Sequence, residues 1–115
     1  MNYLFSGRLI TADLYNVSNK IYDIPSIEKM LTQGVKKAHA TLLFIHTETL
    51  QPEGFTTFAL LLESHVAIHA YPEVGSVFAD VFTCGKCETE IIINAITSYF
   101  KPTEVIINEV LRGNH

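Results

Sequence analysis

Residues 55–83 read FTTFALLLESHVAIHAYPEVGSVFADVFT, and they decide the fold. The turn signal Pro52-Glu53-Gly54 precedes them, and Phe55 to Glu63 then predicts a strand. From Ser64 to Tyr71, Val66, Ile68 and Ala70 alternate with His65, Ala67, His69 and Tyr71, the two-residue period of a strand with one face buried. Pro72 to Gly75 predicts another turn, and Ser76 to Thr83 the strand after it.

Outward from this block the pattern continues. Gly7 to Tyr15, with Leu9, Ile10 and Leu14, predicts a first strand. Pro25-Ser26 opens a helix whose apolar face is Ile27, Met30, Leu31, Val35 and Ala38 at three- and four-residue spacing. Gly34 weakens that helix by roughly 1 kcal/mol relative to Ala. Ala40 to Thr49 predicts a strand and Lys86 to Phe100 a second helix, with Glu88 and Glu90 placed to favour its N-terminal end. Lys101-Pro102 stops the helix, and Thr103 to Leu111 predicts the last strand. The order β-α-β-β-β-β-α-β has too few helices for a doubly wound sheet. It predicts an α+β fold: a two-layer α/β sandwich, mainly antiparallel, with two helices on one face. Residues 1–115 form a single domain on this reading, and the uncovered face of the sheet is available to a second copy.

Composition limits the function. With 48% hydrophobic and 17% charged residues, the chain has a packed core rather than a disordered, solvating character. A net charge of −4 and scattered Lys and Arg leave no basic stripe for phosphates, so nucleic acid is not an expected partner. The longest apolar runs, such as Phe58 to Leu62, are far too short to cross a bilayer, and Met1 to Leu14 has no signal-peptide pattern. The expected setting is therefore the reducing cytoplasm, with Cys84 and Cys87 as thiols and no membrane partner.

Chemistry-bearing side chains concentrate between Glu63 and Cys87. His65, His69, Cys84 and Cys87 are all zinc-ligand types, yet on one strand His65 and His69 stand about 13 Å apart at ~3.3 Å per residue. No metal is expected. Cys84-x-x-Cys87 lacks the parallel βαβ setting of a redox pair. Ser64 beside histidines invites a hydrolase reading, but the chain has no Gly-x-Ser-x-Gly turn. A plain structural serine is the remaining simple alternative.

Glu63-Ser64-His65-Val66-Ala67-Ile68-His69-Ala70-Tyr71-Pro72-Glu73 with Val81-Phe82-Thr83-Cys84-Gly85 closely resembles the core motifs of the short bacterial-type S-adenosylmethionine decarboxylases, a pyruvoyl-dependent family. Weaker similarity runs through Gly7-Arg8-Leu9-Ile10 and the first helix. The resemblance implies self-cleavage between Glu63 and Ser64, giving a β chain of residues 1–63 and an α chain of residues 64–115. Ser64 Oγ attacks the Glu63 carbonyl, the amide becomes an ester, and elimination that releases the Glu63 carboxylate, followed by hydrolysis with loss of ammonia, leaves a pyruvoyl group at position 64. That carbonyl then binds the substrate amine as a Schiff base and serves as an electron sink while carbon dioxide leaves. His69 matches the family's processing histidine, and Thr56 falls where a second processing hydroxyl stands. Cys84 matches the proton donor in decarboxylation; a thiol near ~8.5 holds its proton at pH 7 where an imidazole near ~6.5 mostly does not.

The same resemblance implies a small-molecule substrate, a place in polyamine (spermidine) synthesis, and a homo-oligomer of αβ units, (αβ)2 or larger. The loop around Leu50 and the substrate-binding Glu73 come from the neighbouring unit. This chain departs from the pattern in Thr49-Leu50-Gln51-Pro52, where Leu50 replaces an aromatic that stacks on adenine, and at Tyr71, where tryptophan is common. Losing the stacked ring forfeits about 0.5–1.5 kcal/mol. Adenosylmethionine leads as substrate. The alternatives are a basic amino acid, ornithine or arginine, on the same fold, and an uncleaved non-catalytic regulatory paralogue.

Overall fold

The computed structural model describes residues 5–18, 22–62 and 64–113. Its elements are β1 (Ser6–Tyr15), α1 (Ile24–Lys37), β2 (Leu42–Thr49), β3 (Phe55–Leu61), β4 (Ser64–Tyr71), a 3-10 turn (Pro72–Val74), β5 (Ser76–Cys84), α2 (Thr89–Phe100) and β6 (Glu104–Gly113). The strands form one six-stranded sheet in the order β2-β3-β4-β5-β1-β6, and every neighbouring pair is antiparallel. The expected two-layer α+β sandwich is the fold found, with both helices packed on one face.

Alternation along the strands builds that layer. Ile10, Ala12 and Leu14 of β1, Val66, Ile68 and Ala70 of β4, and Val77, Ala79 and Val81 of β5 are all buried on the helix side. Ile27, Leu31 and Val35 of α1 and Ile92, Ile96 and Phe100 of α2 close over them. Full burial of each large aliphatic or aromatic side chain contributes about 1.5–3 kcal/mol. Gly34 finds its reason here. A Cβ on it would stand 3.1 Å from the Ala95 Cβ, so the missing side chain lets the two helices approach closely.

Boundaries moved where backbone groups found other partners. α2 begins at Thr89, not Lys86, because Gly85 takes φ +64° and the Cys87 N–H turns back to the Cys84 carbonyl at 3.4 Å. Cys87 therefore lies in the turn before the helix, with its Sγ 3.7 Å from the His39 carbonyl. β3 stops at Leu61, and the Leu62 N–H reaches sideways to the Thr41 carbonyl at 3.0 Å. Glu63, on the amino side of the expected cleavage point, lies outside the described residues. β6 runs to Gly113, beyond Leu111, because it pairs with β1 all the way to Ser6. Among the described residues no helix is long and apolar enough to cross a membrane.

Candidate active site

β4 and β5 are antiparallel neighbours, so the start of one meets the end of the other. Ser64 opens β4 and Cys84 closes β5, and the Ser64 hydroxyl lies 3.8 Å from the Cys84 Sγ, within reach of an O–H to sulfur hydrogen bond. Ser64 is buried and Cys84 half-buried, and both cysteines are thiols.

The turn after Cys84 is firmly held. The Gly85 N–H donates to the Ser6 carbonyl at 3.0 Å and the Glu88 N–H to the Ala38 carbonyl at 3.0 Å. The buried hydroxyls of Thr83 and Thr89 share a hydrogen bond at 2.5 Å that ties the end of β5 to the start of α2. Arg8 joins Glu90 of α2 and Glu109 of β6 across β1. Its guanidinium is held above its ordinary pKa, first by the Glu109 hydrogen bond, and Glu90 falls below the usual carboxylate range, first through its own backbone N–H and then through Arg8. Arg8 and Thr83 lie in the quoted motifs but carry no role in the sequence reading, and Thr89 is not part of it. The signal available was the single basic residue of β1 and a pair of threonines on either side of Cys84-x-x-Cys87.

Gly7, Arg8, Thr83, Cys84, Cys87 and Thr89 line a cavity of about 40 Å³ beside the Ser64–Cys84 pair. That volume takes a water-sized occupant, not a nucleoside. Larger cavities of about 290–360 Å³ lie among α1, α2 and the strands they cover, and none is lined by Ser64, His69 or Cys84.

The other expected site residues gather elsewhere. His69 faces away from the helices on β4, directly across from Thr56 on β3, with Nδ1 2.9 Å from the Thr56 Oγ1. Leu50, 39% exposed, follows β2 at the same end of the sheet, its N–H bonded to the Gly54 carbonyl at 2.9 Å. Glu73 is exposed in the 3-10 turn that follows β4. Ser64 and His69 stand at opposite ends of one strand, roughly 16 Å apart at ~3.3 Å per residue. Within one chain, then, the residues fall into two groups: Ser64 with Cys84 at one end, and Thr56, His69, Leu50 and Glu73 at the other.

His65 sits between them with its ring stacked on Phe58, centroids 6.0 Å apart, and tilted against Phe82. Among the described residues no three or more His, Cys, Asp or Glu side chains converge as metal ligands.

A sequence profile described as S-adenosylmethionine decarboxylase matches residues 8–113. The chain belongs to this family. It is 38% identical over 109 residues to an S-adenosylmethionine decarboxylase proenzyme of Methanococcus maripaludis, covering 93% of this chain and 89% of that protein. To S-adenosylmethionine decarboxylase proenzyme 2 of Bacillus cereus it is 36% identical, with 98% and 94% covered. The crystal structure of the adenosylmethionine decarboxylase from Aquifex aeolicus superposes with a TM-score of 0.84 at 33% identity, over 95% of this chain and 92% of that one. Membership thus extends over both groups of site residues and the whole sheet that separates them.

Proposed function

We propose that this chain is a proenzyme that cuts itself between Glu63 and Ser64 and then decarboxylates S-adenosylmethionine. The observation that carries this reading is the Ser64 hydroxyl 3.8 Å from the Cys84 thiol, at the first residue after a hairpin connection. The relatives' printed names support adenosylmethionine as substrate over ornithine or arginine. A serine, a thiol and a hydroxyl–imidazole pair, all in place, support an enzyme over a regulatory paralogue.

The residues fit a self-derived pyruvoyl group. Ser64 is small and buried at the head of β4. A cut there removes the backbone N–H of residue 64 and leaves the β3–β4 ladder from Leu60–His65 to Phe55–Ala70 intact. The group would supply an electrophilic carbonyl that takes up the electron pair as carbon dioxide leaves. Forming it starts when Ser64 Oγ attacks the Glu63 carbonyl carbon and gives up its proton. Thr56 and His69 are the donor and acceptor suited to that proton and to the developing oxyanion. After cleavage, Cys84 stands beside position 64 and delivers a proton to the substrate carbon.

Thr56 and His69 reach Ser64 in this scheme from a second copy. The sheet face opposite the helices carries His69, Thr56 and His65 together with exposed Phe44, Phe58, Leu60, Ile106 and Val110. An apolar surface of that kind marks an association site. Two copies stacked face to face about a two-fold axis, with their ends reversed, bring the His69 end of one over the Ser64 end of the other. Leu50 and Glu73 travel with His69 and enclose a substrate that the 40 Å³ cavity cannot hold. The resulting (αβ)2 unit, acting on a small molecule in the cytoplasm for polyamine synthesis, is the assembly this reading requires.

Intact-mass measurement under denaturing conditions tests the first step, with two fragments expected that split before Ser64. Carbon dioxide release from adenosylmethionine, ornithine and arginine in parallel tests the second, with release from adenosylmethionine alone expected. A single uncut chain, or release only from an amino acid, overturns the proposal.

A further inference from the structure

Cys84 and Cys87 are the only cysteines of the chain, and both are thiols. Cys84 is the proposed proton donor, and Cys87 has no part in that scheme. The two open and close a four-residue turn, in which the Cys87 N–H donates to the Cys84 carbonyl at 3.4 Å. Gly85 takes the second position at φ +64°, where a side chain is disfavoured. The end residues of such a turn have Cα atoms less than about 7 Å apart, and a disulfide bridges Cα separations of about 4.4–6.8 Å. Both cysteines also line the cavity of about 40 Å³ at the end of β5, so they border one small space. The pair lacks the βαβ setting of a catalytic redox couple, but closing a disulfide across a turn needs only this proximity.

We propose that Cys84 and Cys87 form an oxidative modification site, in which a low-molecular-weight disulfide converts them to a reversible disulfide within one chain. The bond leaves Cys84 without a proton to give. That consequence for turnover rests on Cys84 as the proton donor, whereas the bond itself does not. The exchange runs in two steps. First the Cys84 thiolate attacks one sulfur of the reagent, the reagent's S–S bond breaks, and one half leaves and takes up the proton that Cys84 gave up. The Cys87 sulfur then attacks the Cys84 Sγ, and the second half leaves with the Cys87 proton. Two protein thiols are oxidised and one reagent disulfide is reduced to two thiols. Burial, and after it the charge of a nearby Cys84 thiolate, push the Cys87 pKa up. Cys87 is accordingly the second thiol to react, since the first step removes the Cys84 charge.

The surroundings of the turn suit this chemistry. Gly85 and Lys86 are exposed and both cysteines half-buried, so a small reagent has a way in from solvent. The backbone is held from both sides, by the Gly85 N–H on the Ser6 carbonyl and the Glu88 N–H on the Ala38 carbonyl. The His39 ring adds a contact to the Glu88 carboxylate at 3.1 Å. The sulfurs themselves have only weak contacts to exchange for the bond: Cys84 with the Ser64 hydroxyl at 3.8 Å, and Cys87 with the His39 carbonyl at 3.7 Å. Closing the disulfide therefore draws the Cys84 sulfur away from position 64.

The test equilibrates the full chain with oxidised glutathione, quenches in acid, alkylates under denaturing conditions and measures intact masses, for wild type and Cys87→Ser. Wild type is expected to go from two alkyl groups to none, without a glutathione adduct, and to regain both after dithiothreitol. Cys87→Ser is expected to hold one glutathione on Cys84 instead. A wild type that keeps both alkylation sites, that accumulates glutathione adducts, or whose disulfide joins two chains would overturn the proposal. These masses can be read on cut or uncut chains, so a failure of self-cleavage shows separately, as an unsplit chain. With self-processed protein, carbon dioxide release from adenosylmethionine is expected to fall about 10²-fold or more on oxidation, the lower end for loss of a positioned acid, and to recover with dithiothreitol. Oxidised protein with full turnover would keep the disulfide and overturn Cys84 as the proton donor.

Discussion

Ser64 and Cys84 meet because two antiparallel strands begin and end together, and that contact supports the role proposed for the thiol. In the proposed scheme Cys84 takes no part in the attack on the Glu63 carbonyl, which needs a hydroxyl and a base. Its proposed task is to reprotonate the substrate carbon next to position 64. Cys84→Ala is therefore expected to be cut as completely as wild type while carbon dioxide release from adenosylmethionine falls by about 10²–10⁴-fold, the usual weight of a positioned acid. Fragment masses and turnover on one preparation check this, and an uncut variant would move Cys84 into the processing step. At this scale the identities were legible in the sequence and the distances were not. The strand arithmetic that keeps His65 from sharing a metal with His69 also keeps Ser64 from His69, since five residues of strand span roughly 16 Å. Nearness along the chain suggested one cluster. The sheet instead separates a hydroxyl–thiol pair from a hydroxyl–imidazole pair, because an extended strand carries sequence neighbours apart.

Helices and strands were read closely because their periods are strong, and the misses lie where a backbone group found a partner the local pattern does not encode. Lys86 to Glu88 have helical company but serve the turn, since Gly85 takes φ +64° and the Cys87 and Glu88 N–H groups bond to Cys84 and Ala38. The first turn of α2 is anchored instead by charge. Glu90 accepts from its own backbone N–H and pairs with Arg8, and folding lowers its pKa below the ordinary value of 4.5. As pH falls, the unfolded chain takes up this proton first. The stabilisation is complete above the ordinary carboxylate range and is lost as pH drops through the lower folded value. Glu90→Gln should accordingly melt below wild type at neutral pH, with the gap closing in acid below about pH 4. Melting temperatures of both proteins across that range check it. A gap that is constant with pH would mean that packing, not charge, sets the difference. Gly34 makes the same point about legibility. Its helix penalty was visible in the sequence, whereas its reason, the nearby Ala95 on α2, required the tertiary structure.

Strand order is the least legible level, because no local period tells β1 that it belongs between β5 and β6. That placement decides what self-cleavage does to the molecule. Residues 1–63 supply β1, β2 and β3, and residues 64–115 supply β4, β5 and β6, so the two products interleave. Separating them requires unzipping β3 from β4, β5 from β1, and β1 from β6. The proposed cut would therefore leave both products held in one sheet. The same topology fixes the two site groups at opposite ends of β4, out of each other's reach within one chain, which makes mixed assemblies decisive. Consider Ser64→Ala co-expressed with His69→Ala. If Ser64 is served by His69 of its own chain, every chain in the mixture lacks one of the two, and none is cut. If the site is shared, a mixed pair has one site with both residues missing and one with both present. In that second site the His69→Ala chain is cut with the help of the intact His69 on the Ser64→Ala copy. Cleavage is thus expected only in the His69→Ala chain, in up to about half of a randomly assembled mixture, while each variant alone stays largely uncut. Intact masses identify which chain was split. Cleavage absent from the mixture would return the whole site to a single chain and require β4 to rearrange before processing.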